Sequence, residues 1–294
     1  MLSILIPVYN YDVTPLVTEL HRQCTEQYVD FEIVVAEDGS KMCVDKNASI
    51  HSLPNCRHII LKENIGRSAI RNRLADEARY EHLLFMDCDA EVFSTYYIEK
   101  YLIFCHEPCV VIGGTAYEAD NHNPDDSLRL KYGRKREARH ANERGKNNFA
   151  TFNFLISKAI FNKVRFDESI RGYGHEDMLF GHGLHLLGFQ FIQIENPLIH
   201  KGIDDNLTFL AKTDEATKNL FLLYQTGRYP FLTEESVLLK SYLLVKKAGL
   251  RRLLAWSFIT SASIIRKQLC STNPSLLLYD LYKLGTLCKT SLSK

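Results

Sequence analysis

His82-Leu83-Leu84-Phe85-Met86-Asp87-Cys88-Asp89 is a strand that runs into a core and stops on acid. The apolar run belongs inside a fold, yet two carboxylates follow it one residue apart. Unpaired charge at the edge of a low-dielectric core is costly. A divalent cation held by oxygen ligands would offset that cost and could carry a diphosphate. Alternation along an extended chain would send Asp87 and Asp89 to the same side of the strand end. In open α/β sheets, ligands bind beyond the carboxyl ends of the strands.

Outward from this stretch the first two thirds of the chain alternate between two periodicities. Strands are predicted over residues 2–8, 31–36, 57–61, 81–86, 109–112, 149–156 and 191–194. Helical spacing of apolar residues occurs over 13–27, 67–80, 96–105 and 177–187. Such alternation predicts an α/β fold, a mostly parallel sheet with helices on both faces. Polar signatures follow the strands as that architecture requires: Tyr9-Asn10 after the first, Glu37-Asp38-Gly39-Ser40 after the second, Asp87-Cys88-Asp89 after the fourth. Beyond Asp204 the pattern turns helical, over 207–224, 234–247, 250–269 and 275–287. The expected organisation is a catalytic domain over 1–203 and a helical C-terminal region over 204–294.

Composition narrows the function classes. The 36 Lys and Arg against 35 Asp and Glu leave a formal charge of +1. That argues against a dedicated nucleic-acid binder, whose phosphate contacts need a basic surplus. The eight cysteines form no Cys-x-x-Cys pair, so neither a zinc knuckle nor a dense disulfide framework is expected. A reducing cytoplasm suits them best. No window approaches the roughly 20 apolar residues that span a bilayer. The first residues lack the basic start and cleavage site of a signal peptide. The expected location is therefore cytoplasmic, with peripheral contact at the inner membrane face left open.

Further signatures stand in order along the chain. They are Ser3-Ile4-Leu5-Ile6-Pro7-Val8-Tyr9-Asn10, Val34-Val35-Ala36-Glu37-Asp38-Gly39-Ser40, Asn64-Ile65-Gly66-Arg67-Ser68-Ala69-Ile70-Arg71-Asn72, the Asp-Cys-Asp above, and Gly172-Tyr173-Gly174-His175-Glu176-Asp177. Together they resemble family 2 glycosyltransferases, inverting enzymes with the GT-A fold, over about residues 2–202. The stretch from Thr151-Phe152-Asn153 to Glu176-Asp177 also looks like the galactosyltransferase-type carboxyl half of some of these enzymes. One departure is Glu37, where the family pattern usually has Asp.

Sugar transfer from a nucleotide diphosphate needs a base pocket, a cation on the departing diphosphate, a proton acceptor and a wall that aligns the reactants. Pro7 and Tyr9 at the end of the first strand suit packing against the nucleobase. Asp38, or Glu37 instead, could accept the uracil imide N–H; a turn-capping role before Gly39 is the alternative. Arg67 and Arg71 lie four apart on one helical face. The resemblance implies that one of them contacts base or diphosphate, and a surface ion pair is the other reading. Asn64 and Gly66 are expected to shape the start of that helix.

Asp89 is the first candidate for a metal ligand, with Asp87 meeting the ribose or the metal through water. The resemblance adds His200 as a third ligand, which would favour Mn2+ over Mg2+. It also implies that Asp177 is the catalytic base and that Glu176 assists acceptor binding. The expected partners are a UDP-sugar donor and a glycan or lipid-linked glycan acceptor, as in surface-polysaccharide synthesis. A sugar nucleotidyltransferase would want a Gly-rich loop where Pro7-Val8-Tyr9-Asn10 stands. A non-catalytic sugar-nucleotide or glycan-binding module would share the pocket but would not need all three of Asp87, Asp89 and Asp177.

Two stretches stay open. Arg129, Lys131, Arg134, Lys135, Arg136, Arg139, Arg144 and Lys146 read as a solvated excursion, a flap over the diphosphate, or a contact for an anionic acceptor. The C-terminal helices mix Lys and Arg with Leu, Val, Ile and Trp256, which suits an anionic membrane surface. An ordinary packed appendage or a dimer contact fits them as well.

Overall fold

The computed structural model describes residues 1–118, 123–145, 148–170 and 172–293. Lys146 of the basic stretch read above lies outside the described residues. Among the described residues the elements run as follows. First come β1 (Leu2–Val8), α1 (Thr14–Glu26), β2 (Phe31–Glu37), α2 (Val44–Asn47), β3 (Cys56–Ile60), α3 (Arg67–Glu77) and β4 (His82–Met86). The middle holds β5 (Ala90–Glu91), α4 (Tyr97–Leu102), β6 (Val110–Ile112), β7 (Thr115–Ala116), α5 (Ser127–Tyr132), β8 (Asn153–Ser157), α6 (Lys158–Val164) and α7 (Glu176–Leu186). Then come β9 (Ile192–Gln193), β10 (Leu198–His200), α8 (Asn206–Thr226), α9 (Leu232–Glu235), α10 (Val237–Lys247), α11 (Arg251–Leu269) and α12 (Leu276–Thr290).

These elements fall into two compact units. One comprises 1–118, 136–145, 148–170 and 176–202; the other comprises 123–135, 172–175 and 203–293. The first unit is built on a seven-stranded sheet in the order β3-β2-β1-β4-β8-β6-β9. β8 alone runs against its neighbours β4 and β6. Alternation divides the sheet's side chains between two buried layers. Ile4, Ile6, Ile33, Val35, Leu84 and Met86 pack on one face, with Leu16, Val17 and Leu20 of α1. Leu5, Val34, Leu83, Phe85 and Phe154 pack on the other, with Ile70 and Leu74 of α3 and Phe180 of α7. Burial on both faces is why these strands read as nearly unbroken apolar runs.

A second, three-stranded sheet, β5-β10-β7, had no signal in the sequence. Its strands are two or three residues long and are held largely by what surrounds them. Asn153 is the anchor: its Oδ1 accepts from the hydroxyls of Tyr97 and Tyr101, both at 2.7 Å. Its Nδ2 donates to the carbonyls of Gly114 and Asn196. Those residues lead into β7 and towards β10.

The expected strand over 149–156 is shorter and begins at Asn153. Phe149 instead turns its ring onto Phe154, Phe180 and Phe191. The basic stretch is not one solvated excursion. Arg144 is buried and donates to the carbonyls of Gly113 and Ile194. Arg129 is buried too, its guanidinium 5.3 Å from the Phe209 ring. All eight cysteines are free thiols.

The second unit is helical. Asp205 caps α8 by accepting from the backbone N–H groups of Leu207 and Thr208. Leu128, Phe209, Leu210, Phe258, Leu269, Tyr279 and Tyr282 form its core. Asp214 binds Arg266 and the Tyr282 hydroxyl, both at 2.9 Å, and so ties α8 to α11 and α12. No helix among the described residues is long and apolar enough to cross a membrane.

Candidate active site

The turn after β2 organises one side of the site. Glu37 is not available to a ligand. Its side chain is wholly buried, with Oε1 2.7 Å from Asn47 Nδ2 and 3.2 Å from His58 Nε2. That removes Glu37 as an alternative to Asp38 for a nucleobase, because a carboxylate enclosed on every side offers no face to solvent. Asp38 is also occupied: Oδ1 accepts from Ile65 N–H at 2.7 Å and Oδ2 from Gly66 N–H at 3.1 Å. It thereby fixes the loop that opens α3. Burial raises its pKa, and those two backbone donors act against the rise. A Cβ on Gly39 would run into the Glu63–Asn64 backbone, and its φ of +71° favours glycine in any case. Asn64 and Gly66 thus shape the start of α3. Tyr9, by contrast, is 55% exposed beyond the end of β1.

α3 carries Arg71 inward. This guanidinium is only 2% exposed, not the surface ion pair that its helical spacing with Arg67 also allowed. Nη2 donates to Asp87 Oδ1 at 2.8 Å, and Nη1 lies 3.7 Å from Glu176 Oε1. Arg67, half exposed, reaches the same Glu176 oxygen at 3.7 Å. The Phe166 ring sits 5.6 Å below the Arg71 guanidinium and stacks on Phe180 of α7 at 4.1 Å. Asn72 holds Phe166 by a reciprocal pair, Nδ2 to its carbonyl and Oδ1 from its N–H. Sequence reasoning missed Asn72 and Phe166; nothing local marks an asparagine that binds backbone more than ninety residues away.

The Asp-Cys-Asp stretch is not extended. The chain turns at Cys88-Asp89 to enter β5, so strand alternation does not govern the two carboxylates and they take different partners. Asp87 goes to Arg71. Asp89 Oδ2 lies 3.0 Å from His200 Nε2 on β10. The Cys88 thiol between them is kept protonated, by burial first and then by the Asp89 and Asp87 charges. His200 stands edge-on to Phe152 and Tyr117. Gly202 passes so close that any Cβ there would overlap the Asp89 carboxylate.

Among the described residues, no group of three or more His, Cys, Asp or Glu side chains is arranged to hold a metal. The expected trio of Asp87, Asp89 and His200 is therefore a pair, because Arg71 takes Asp87 away. The pair still suits a cation. Asp89 Oδ1 is buried with no hydrogen-bond partner, and a carboxylate with an imidazole is an acceptable partial donor set for Mn2+, a bound ligand's oxygens supplying the rest.

α7 begins directly at Glu176, after Gly172, Gly174 and His175 at φ +91°, +93° and +79°. Glu176 is buried against the two arginines; Asp177, next in the first turn, is half-buried and accepts from Met178 N–H at 2.7 Å. Both anions lie at the positive end of the helix dipole.

Residues 3–165, more than half of the chain, match Glycosyl transferase family 2. The chain belongs to glycosyltransferase family 2. Membership accounts for the parallel sheet and for acidic motifs gathered beyond strand ends. The chain is also 30% identical over 109 residues to a teichoic acid poly(glycerol phosphate) polymerase of Staphylococcus epidermidis. That match covers 34% of this chain and 15% of the polymerase. Among solved structures, the mannosyltransferase PcManGT of Pyrobaculum calidifontis, in complex with GDP-Man and Mn2+, shares the fold at a TM-score of 0.57 and 14% identity. It is matched over 100% of this chain and 86% of that one. S. aureus TarS 1-349 in complex with UDP shares it at 0.52 and 18% identity, over 99% and 90% of the two chains. The family 2 chain thus has a GT-A-type sheet followed by a helical C-terminal region.

Proposed function

We propose that this family 2 chain is a metal-dependent inverting hexosyltransferase. It moves a sugar from a UDP-sugar to a hydroxyl of a glycan or lipid-linked glycan acceptor, in surface-polysaccharide synthesis. The observation that carries the reading is the Arg71 bridge, which draws Asp87 of the Asp-Cys-Asp turn and Glu176 of α7 against one guanidinium. Asp177 follows Glu176, so a proton acceptor stands one residue from that junction.

In this reading Asp177 takes the proton of the acceptor hydroxyl. The oxygen bonds to the anomeric carbon from the face opposite the nucleotide. The carbon–oxygen bond to the diphosphate breaks, and the electron pair leaves with the diphosphate. One displacement inverts the anomeric centre, and a positioned base of this kind supplies about 10²–10⁴-fold in rate. Glu176, braced by Arg67 and Arg71, sets the first turn of α7 beside the acceptor. Tyr9 offers its exposed ring to the nucleobase, with Pro7 behind it and Asp38 accepting the imide N–H beside its two backbone bonds. Asp89 and His200 would hold Mn2+ or Mg2+, which when bound neutralises charge on the diphosphate.

The UDP held by TarS and the GDP-Man and Mn2+ held by the mannosyltransferase support a sugar-nucleotide donor and a divalent cation. The teichoic acid polymerase supports an acceptor in a surface polymer. A thermal-shift panel of UDP- and GDP-sugars, with and without Mn2+, tests the donor. A ligand at 100 times its dissociation constant stabilises by about 2.7 kcal/mol. Metal-dependent stabilisation by UDP-sugars, followed by turnover, is the expected result. Stabilisation by guanosine nucleotides alone would overturn the uridine assignment. Tight UDP binding with no turnover on any donor would point to a binding module instead.

A further inference from the structure

From Ser236 to Tyr279 the chain has seven Lys and Arg and no Asp or Glu, within a protein whose total charges nearly cancel. This single-sign stretch forms α10, α11 and the start of α12, all in the second unit. α11 buries one apolar face and carries further large apolar side chains on the side turned to solvent. Ala255, Phe258 and Leu269 are buried, and Phe258 meets α12 at Gly285, where any Cβ would overlap its ring. Trp256 lies two residues from Phe258, about 200° around the helix. It is 65% exposed, on a face with Leu253 at 60%, Ile259 at 55% and Ile264 at 72%, interspersed with exposed Thr260 and Ser263. An ordinary packed helix turns mainly charged and polar side chains away from its core, not four large apolar ones.

Four of the seven charges cluster at one end of that face, while Lys240 lies further back on α10 and Arg266 and Lys267 stand in the last turn of α11. Lys246 and Lys247 close α10, Gly249 turns the chain at φ +75°, and Arg251 and Arg252 open α11. Two arginines at the positive end of a 19-residue helix are on the wrong side of its dipole. No side chain caps that end, so its backbone N–H groups and its arginines both want an anion.

We infer that the α10–α11 corner and the exposed face of α11 dock on an anionic lipid bilayer. Leu253, Trp256, Ile259 and Ile264 enter the acyl boundary, and Lys246, Lys247, Arg251 and Arg252 meet the headgroups. A second copy of this chain is a poorer occupant, since a two-fold contact would set the basic corner against itself. The inference does not depend on the transferase reading, and donor binding is a separate measurement.

Trp256 is the only tryptophan, so its emission reports directly on this face. The full chain is mixed with phosphatidylglycerol–phosphatidylcholine vesicles and, separately, with phosphatidylcholine alone. Flotation with a blue-shifted emission is expected on the anionic vesicles, weakened by salt and at least tenfold weaker on the neutral ones. Lys246→Gln with Lys247→Gln should lower partitioning about 25-fold, roughly fivefold per charge. Leu253→Ser with Ile264→Ser should abolish the blue shift while the far-ultraviolet circular dichroism stays unchanged, because both side chains point to solvent. No flotation on anionic vesicles, or equal binding to both compositions, would overturn the inference. So would a blue shift that grows with protein concentration in the absence of lipid, accompanied by a doubled mass.

Discussion

Arg71 and Asp87 form a hydrogen-bonded ion pair at 2.8 Å, with the guanidinium almost wholly buried. The same guanidinium faces Glu176 at 3.7 Å. One cation therefore holds two carboxylates from separate parts of the chain. Arginine spreads its donors over a planar fork, so Nη2 serves Asp87 while Nη1 faces Glu176, where lysine would offer one nitrogen to both.

Removing that cation should cost stability. Arg71→Met leaves Asp87 and Glu176 without their shared partner, and breaking a buried pair costs about 3–5 kcal/mol. The lower end applies, since the Asp87 side chain is partly exposed. Arg67→Ala, at a half-exposed position, should cost less than about 1 kcal/mol. Urea midpoints of the two variants measure the contrast; equal losses would mean that Arg71 is no more than another surface charge.

Glu176 and Asp177 should separate in their effects. Asp177→Asn keeps shape and is expected to lower transfer by about 10²–10⁴-fold with donor affinity unchanged. Glu176→Gln weakens the contacts to Arg67 and Arg71, so stability and rate should fall together. Paired melting curves and single-turnover rates test this. Full activity in Asp177→Asn would dismiss it as the base.

Gly202→Ala pushes a methyl group into Asp89. The carboxylate must swing away from His200, and disturbing the support of a ligand typically costs 10–100-fold in metal affinity. Calorimetric titration with Mn2+ reads the loss. Unchanged affinity would show that Asp89 does not need its present position.

Acid should act through Glu37. Burial raises its carboxyl pKa, but hydrogen bonds from His58, Ser40 and Asn47 outweigh burial and hold it below the ordinary 4.5. A group whose pKa is lower in the folded state stabilises above its unfolded value and ceases to do so as pH falls through the folded one. Thermal midpoints should drop more steeply below about pH 4.5 in the native chain than in Glu37→Gln. Parallel curves would assign the acid sensitivity elsewhere.

Most of the large sheet was legible. β1 agrees with its predicted span residue for residue, and β2 and β4 differ by one residue. Buried strands must be apolar nearly throughout, and that mark is local. Short strands leave no such mark, which is why β5, β7 and β10 were invisible until Asn153 and its two tyrosines brought them together. Arg71 and Glu37 illustrate the same limit for charges. Their spacing was plain, but whether each faced water or a core was not.

Residue order alone settled the α/β architecture, the helical C-terminal region and the family, because periodicity and motif order belong to neighbours along the chain. Folding decided which acid Arg71 would hold, that Asp89 would pair with His200, and that Glu37 would be closed off by His58. Coulombic pairing and desolvation depend on distances in space, and those distances exist only once remote segments have packed.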